Sequence, residues 1–455
     1  MRTDGVAAPL GSEGRSFFCK YSLGWLRRAK PGVKWAMCAA LIFFVMGITS
    51  GEEGGSEPHP SKILVSGNPP NIRVVASWLE NDPMVDPRQV PCRTFLTTLS
   101  GKDIQRYIRL YFPRNYDDLV EYEYIMLIMV EVFFLTNAQQ KMIYNAIAKD
   151  GLGALQDRSV MSMAEWIAHP WADSIISDAF PNDADKVVSQ KFSYERVGLR
   201  YVVNTNPSIP PIFKPYKDFE GVETAITPGT TCICIPKEGA VVTSYIVGPF
   251  PEGYAGAYPD PRFRGSGWMP HTMYWRYGNA TTWTHTDMLG GDLYWNPAHN
   301  PYSLDMLMAE FMFATSRDLP SDVVLVHNLR SKFASFISTR GFIYAIIDFV
   351  NKFGANDAPI VSKVSDVASL AEQGKKLYLK QEYEKAAETM DLALSRMEQV
   401  RRDAMRLKDR ALFWVYLTEW LVVTGVFLLA GFAVWTLMIQ RKLYREVEVT
   451  RAGVF

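Results

Sequence analysis

The chain has 455 residues, 48 basic and 48 acidic side chains, and a 48% hydrophobic composition. That length accommodates one large folded domain with appendages, and a formal charge of zero leaves no basic footprint, which excludes nucleic-acid binding. No cofactor is expected.

The N-terminus carries Arg27, Arg28, Lys30 and Lys34, then an apolar run from Trp35 to Ile48, then Gly47, Thr49 and Ser50 ahead of Glu52 and Glu53. A basic region, a short apolar region and small residues make up the layout of a secretory signal peptide. Cleavage is expected near Ser50. The alternative is an uncleaved signal anchor, giving a two-pass protein with both termini inside. Arg27-Arg28 resembles a twin-arginine signal, although Ala29-Lys30-Pro31 fits it poorly.

Residues 51–70 are rich in Gly, Pro, Ser and Glu and read as a flexible leader. The folded part is expected to begin with a strand over Ile72–Leu79. A helix follows near Asp103–Tyr111, then a buried strand over Tyr124–Val130, apolar throughout as central parallel strands are. Thr136 and Gln139 match a capping box opening a helix to about Lys149, and Gly151-Leu-Gly153 ends it ahead of another strand. Strand, helix, strand implies a right-handed crossover and an α/β parallel sheet.

Between 198 and 300 the texture changes to short β-runs with Pro, Gly and many aromatics. Arg200–Val203, Thr230–Ile235 and Ala240–Val247 are strand candidates, the last two read as a hairpin around Lys237–Gly239. Helices return at Ser303–Ser316 and over Val324–Phe353, with a break near Gly341. From Val364 to Arg410, positions such as Ala371, Gly374, Tyr378, Ala386, Ala387 and Met390 trace a helical hairpin turning near Gln381, similar to one tetratricopeptide-like unit. A single unit must pack on something else. Its second helix runs on as a stalk.

The uncharged run Leu421–Ile439 spans about 28 Å as a helix, close to the hydrocarbon thickness of a bilayer. Trp414, Tyr416 and Trp420 before it and Trp435 near its end suit the two headgroup layers, and Arg441, Lys442 and Arg445 stop it. The lipid bilayer is therefore an expected partner. The basic N-terminus places residues 51–410 outside and the tail inside, as a single-pass protein of the cell membrane. The resulting organisation is a signal segment (1–50), a leader (51–70), an α/β domain with a β- and loop-rich insertion (71–320), a helical continuation (321–362), a hairpin stalk (363–410), a transmembrane helix (411–440) and a cytoplasmic tail (441–455).

Of five cysteines, Cys19 and Cys38 belong to the signal. The remaining three allow one disulfide, from Cys92 to Cys232 or Cys234, and one spare thiol. Cys232 and Cys234 alternate as on a half-buried strand, and two ligands at that spacing are a weak metal motif. Asn279-Ala-Thr281 is a glycosylation sequon. His271, His285 and His299, with Asp287 and Asp292 nearby, are spaced too widely for a compact metal motif and read as hydrogen-bonded histidines, so no metal site is expected. The aromatics of this region, including Trp268, Trp275, Trp283 and Trp295, either pin long loops onto the domain or line a sugar- or peptide-binding surface.

Tyr122–Met129, Leu135–Ile147 and Lys149–Leu155 together resemble the class I glutamine amidotransferase-like superfamily. In that pattern a strand ends at an exposed loop, a helix starts at Leu-Thr-x-x-Gln, and a Gly-rich turn leads to a nucleophile elbow. The resemblance covers about 72–320 and implies a flavodoxin-like α/β fold. Catalytic members carry Cys between small residues at the elbow, where a strained turn exposes the nucleophile beside an oxyanion hole. The matching stretch here is Leu155–Val160, with Asp157, Arg158 and Ser159 at the elbow and neither Cys nor Gly. The missing nucleophile, the lone hairpin and the stiff helix together point to a non-catalytic binding or scaffold protein, expected to join a membrane protein or a second copy through its stalk. The alternative is a hydrolase in which Ser159 works with His169, His271, His285, His299 or His327.

Overall fold

The computed structural model describes residues 59–95, 97–157, 171–188, 200–223, 233–247, 268–291 and 294–452. The expected signal segment lies outside the described residues, as do Arg158, Ser159, His169, Cys232 and Asp292.

The first strand, β1 (Ser61–Gly67), lies inside the expected leader, so the α/β domain starts about ten residues earlier than the composition suggested. It pairs in parallel with β2 (Val85–Pro91) and β3 (Tyr124–Ile128). β3 pairs in parallel with β4 (Gly153–Asp157), and β4 with β10 (Ala280–His285). The sheet continues antiparallel through β9 (Trp268–Tyr277), β8 (Val241–Val247) and β6 (Arg200–Val203), for eight strands in the order β2-β1-β3-β4-β10-β9-β8-β6. Its first five members follow the 2-1-3-4-5 order of flavodoxin-like sheets, with β10 as the fifth strand. β5 (Asn182–Val188) and β7 (Ile233–Pro236) form a separate antiparallel pair. The hairpin expected around Lys237–Gly239 is therefore absent. β7 and β8 enter different sheets, and the Lys237 amide and ammonium are both spent on carbonyls of 177–181.

Ile72–Leu79, expected as a strand, belongs to helix α1 (Pro69–Leu79). Ile72, Val75, Ala76 and Leu79 are buried at i, i+3, i+4 and i+7, and prolines in the first turn supply the helical φ at positions that need no N–H. Helical periodicity outweighs the β-branched composition here. On the opposite face lie α2 (Gly101–Tyr111), α3 (Tyr116–Val120) and α4 (Asn137–Asn145). α2 opens on a Ser100/Asp103 capping box and α4 on the expected Thr136/Gln139 box. α4 loosens into a π turn at Ala146–Asp150 and stops at Gly151, whose φ of +80° is a left-handed cap.

The C-terminal half is helical. α5 (Ser303–Ala314) packs on the sheet face that carries α1, and α6 (Val323–Asn351) runs without the expected break at Gly341. Gly341 faces open space, whereas Phe336, Ile343, Ile346, Ile347 and Val350 keep one buried stripe intact across it. α7 (Ala358–Leu379) turns at Gln381 (φ +61°) into α8 (Tyr383–Ala452), a single helix of 70 residues. The hairpin expected from the sequence is present: Ala371, Gly374, Tyr378, Ala386, Ala387, Met390 and Ala393 are buried, and a Cβ on Gly374 would meet Met390 Sδ at 3.0 Å.

Both α6 and α8 are long and apolar enough to cross a membrane, but 33% of the apolar window of α6 is buried in the protein and none of that of α8 is. The first packs one stripe into the core and leaves apolar residues exposed on its other side, and the second leaves a continuous apolar cylinder uncovered.

One charged network joins the helices to the sheet. Arg330 of α6 is buried, with Nε 2.5 Å from Asp82 Oδ2 and Nη1 2.5 Å from Asp305 Oδ1. Tyr378 of α7 donates to Asp82 Oδ2 (2.8 Å), and His327 Nδ1 lies 2.7 Å from Asp305 Oδ2. Burial opposes the Arg330 charge, yet the Tyr378, Asp82 and Asp305 oxygens outweigh it and raise its pKa further. Arg330→Met leaves two buried carboxylates without their cation, so denaturant unfolding of the detergent-solubilised chain is expected to show a loss of about 3–5 kcal/mol. Lys332→Ala, which breaks the partly exposed pair with Asp391, should cost less than about 1 kcal/mol in the same assay.

Candidate functional site

In a doubly wound sheet, ligands bind beyond the carboxyl ends of the strands, where the chain switches direction. Here α1 leaves β1 toward one face while α4 leaves β3 toward the other, which puts the switch between β1 and β3. Backbone hydrogen bonds knit the two strand ends together: Asn68 N to Ile128 O (2.9 Å), Cys92 N to Gly67 O (2.7 Å) and Glu131 N to Cys92 O (3.0 Å). The approach is close enough that Gly67 (φ +149°) has no room for a side chain, since a Cβ would lie 1.7 Å from Ile128 O. Met129, just past β3, holds a φ of +52°, a costly conformation for a residue with a long side chain.

The side chains at this edge are polar and buried. Arg93 Nε lies 3.4 Å from Glu131 Oε1, its Nη1 donates to Met129 O (3.3 Å), and its guanidinium sits 4.9 Å above the Phe95 ring. Burial lowers the Arg93 pKa, opposed by Glu131 and Asp157, and burial raises that of Glu131, opposed by Arg93. Among the described residues, Glu131 Oε2 and Asn68 Oδ1 are buried acceptors with no hydrogen-bond donor. Asn68 Nδ2 donates to Asn71 Oδ1 (2.6 Å), and Asn71 Nδ2 to Leu289 O (2.7 Å). Asp157, the one described elbow candidate, accepts from Leu289 N (3.0 Å) and is buried, so it anchors a loop.

Cys92 is a free thiol inside the core, so the expected bridge from Cys92 to Cys232 or Cys234 is not formed. Burial pushes its pKa above the usual thiol range. Cys234 is buried on β7.

A second polar layer lies under β9 and β10. His271 Nε2 lies 3.0 Å from Asp287 Oδ1, and His271 Nδ1 lies 2.9 Å from Ser244 Oγ. Asp287 also accepts from Trp295 Nε1 (2.8 Å) and the Tyr201 hydroxyl (2.9 Å). His285 Nε2 lies 2.8 Å from Glu310 Oε1, and its ring stacks on Trp295 at 4.4 Å. Burial raises the Glu310 pKa against the pull of His285, and burial lowers that of His271 despite Asp287. His271 and His285 are thus hydrogen-bonded core residues, and His327 is held by Asp305. Among the described residues, no group of three or more His, Cys, Asp or Glu side chains converges as a metal site.

The four tryptophans do not share a surface. Trp283 and Trp295 are 0% and 1% exposed and belong to the core, which corrects their reading as ligand-contacting residues. Trp268 is exposed at one end of β9. Trp275 lies seven residues along, donates to Ala179 O (2.9 Å) and carries Lys237 Nζ 5.0 Å above its ring. Arg93, Glu131 and Glu310, the charged residues that most shape these layers, were not singled out in the sequence. The available signal for Glu131 was a carboxylate three residues beyond an all-apolar strand.

No family model matches the chain, and no curated protein matches it. Among solved structures it is similar to a cytoplasmic protein of Salmonella typhimurium LT2, with 14% identity over 56% of this chain and 97% of that one and a TM-score of 0.36. A second cytoplasmic protein of Salmonella typhimurium gives 13% identity, coverages of 56% and 98%, and a TM-score of 0.38. A cold-adapted β-galactosidase of Rahnella sp. R3 gives 12% identity, coverages of 64% and 35%, and a TM-score of 0.29. Likenesses this distant carry no functional argument.

The His271 layer makes stability pH-dependent. With its folded-state pKa below the ordinary 6.5, the unfolded chain takes up the proton first as pH falls, so stability present above 6.5 is lost as pH drops through that value. Denaturation midpoints measured from pH 7.5 to 5.5 are expected to fall more steeply for the parent chain than for His271→Asn.

Proposed function

We propose that the chain is a membrane-anchored, non-catalytic protein whose amidotransferase-like α/β domain serves binding or scaffolding on the outer side of the membrane. The observation that carries this reading is α8, one unbroken helix whose first part packs within the domain's own core and whose later part is apolar and uncovered. The flavodoxin-like strand order and the Thr136 capping box support the architecture. The buried thiol of Cys92, the anchoring role of Asp157 and the Arg93–Glu131 pair at the strand ends support a non-catalytic domain, because each occupies the crevice with a structural contact. The basic N-terminus supports an outside domain and an inside tail. For a stalk partner, a second copy or another membrane protein, the exposed side chains Ile337, Phe342, Tyr344 and Phe349 of α6 supply apolar surface.

The full chain is expected to stay in the membrane pellet through alkaline carbonate extraction, and a chain ending at Arg410 to remain soluble. Recovery of the full chain in the carbonate supernatant would refute the anchor. For orientation, a membrane-impermeant maleimide applied to intact cells should label Glu388→Cys on the stalk and spare Arg451→Cys on the tail; the reverse labelling would invert the topology.

A further inference from the structure

Where the stalk meets the apolar cylinder, the turn between α6 and α7 stands off from α8 and leaves a cleft of about 580 Å³. Phe353, Gly354, Ala355 and Asn356 form one wall, and Leu407, Arg410, Trp414 and Thr418 belong to the other. A smaller cleft of about 290 Å³ adjoins it, shares Asn356, Leu407 and Arg410, and adds Arg406. The cations of this part of α8 are otherwise engaged: Arg401 and Arg402 with Glu398, Arg406 with Asp403, Lys408 with Asp409. Arg410 lines both clefts and makes no ion pair among the described residues.

Its height suits one class of ligand. From Arg410 to Arg441 the helix rises about 46 Å, against roughly 40–45 Å for a bilayer with its headgroups. The only charge between them is Glu419. Arg410 and Arg441 therefore bracket the whole bilayer, and a guanidinium at its edge can extend along the helix to the phosphate layer. Below Arg410, Trp414, Val415 and Thr418 carry the cleft down toward Leu421, where the apolar run starts. Phe353 and Trp414 are 44% and 58% exposed, so the lower cleft is open and aromatic.

Resting on the anchor reading above, we propose that this cleft binds one anionic phospholipid, its phosphate paired with Arg410 and its acyl chains running down past Trp414 and Thr418 into the bilayer. Charge complementarity with the unpaired cation and continuity with the apolar run select the lipid over a free anion, which would gain nothing from the aromatic lower half. One cation at the surface contributes about a fivefold preference for an anionic lipid, at roughly 1 kcal/mol per charge.

The test uses the full chain in nanodiscs of phosphatidylcholine, with and without phosphatidylglycerol. Phosphatidylglycerol retained per protein is counted by native mass spectrometry. The parent chain is expected to retain one phosphatidylglycerol, Arg410→Gln to hold it about fivefold less tightly, and Thr418→Trp, which fills the cleft floor at unchanged charge, to weaken it also. Arg441→Gln, removing a charge at the opposite face, should lower retention less than Arg410→Gln does. Equal retention in the parent and Arg410→Gln, or equal loss in Arg410→Gln and Arg441→Gln, overturns the site while leaving the anchor standing. Inorganic phosphate that displaces the lipid from the parent chain would reassign the site to a free anion. A chain that fails to enter the discs at all refutes the anchor, and the lipid site with it.

Discussion

The arrangement of the whole C-terminal half depends on where one buried guanidinium can find two carboxylates. Arg330 is reached by Asp82 from the turn between α1 and β2 and by Asp305 from α5, and Tyr378 brings α7 to the same Asp82 oxygen. Apolar contact alone would let helices such as α6 and α7 slide by a turn at little cost, because one aliphatic side chain packs much like another. An ion network does not slide, since a shift of one residue would strand a charge inside the protein. Its role is thus to specify register more than to add net stability: four segments far apart in sequence share one arrangement, and the stalk inherits its position from the sheet.

The same logic governs the carboxyl edge of the sheet. Doubly wound folds leave a crevice at the switch point because helices on opposite faces diverge there. In this chain the crevice carries Arg93, Glu131, Asn68, Asn71 and Asp157, all buried and mostly turned on one another or on the Leu289 backbone. The left-handed Met129 and the close contact at Gly67 draw the β1 and β3 ends together. Among the described residues, Glu131 Oε2 and Asn68 Oδ1 remain as buried acceptors without a donor, which marks the least settled spot of this layer.

Elements with one strong local signal were legible in the sequence. β3 is apolar at every position, α4 has a reciprocal cap, and the small residues at 371, 374, 386 and 387 fit only a close helical pair. Elements defined by partners far away were not. β1 is a short strand between prolines, and what makes it central is pairing on both sides by β2 and β3. Ile72–Leu79 looks like a strand by composition, and only the burial of Ile72, Val75, Ala76 and Leu79 along one helical stripe decides otherwise. β9 and β10 hid among aromatics that read as loop anchors, because alternation is obscured when both faces of a strand are covered, as all six residues of β10 are. The polar layers were least legible of all. Glu310 lies on a helix whose other residues are almost all apolar and buried, and its meaning appears only once β10 delivers His285 to it.

These features converge on stiffness. α6 passes Gly341 without a break, α7 returns along it, and α8 carries the packed hairpin into the apolar cylinder with no intervening loop. From Tyr383 to Arg410 the helix rises about 40 Å, and over that length it is braced by α6 and α7. A flexible tether would let a domain sample many heights and angles, whereas a helix braced over this length narrows both.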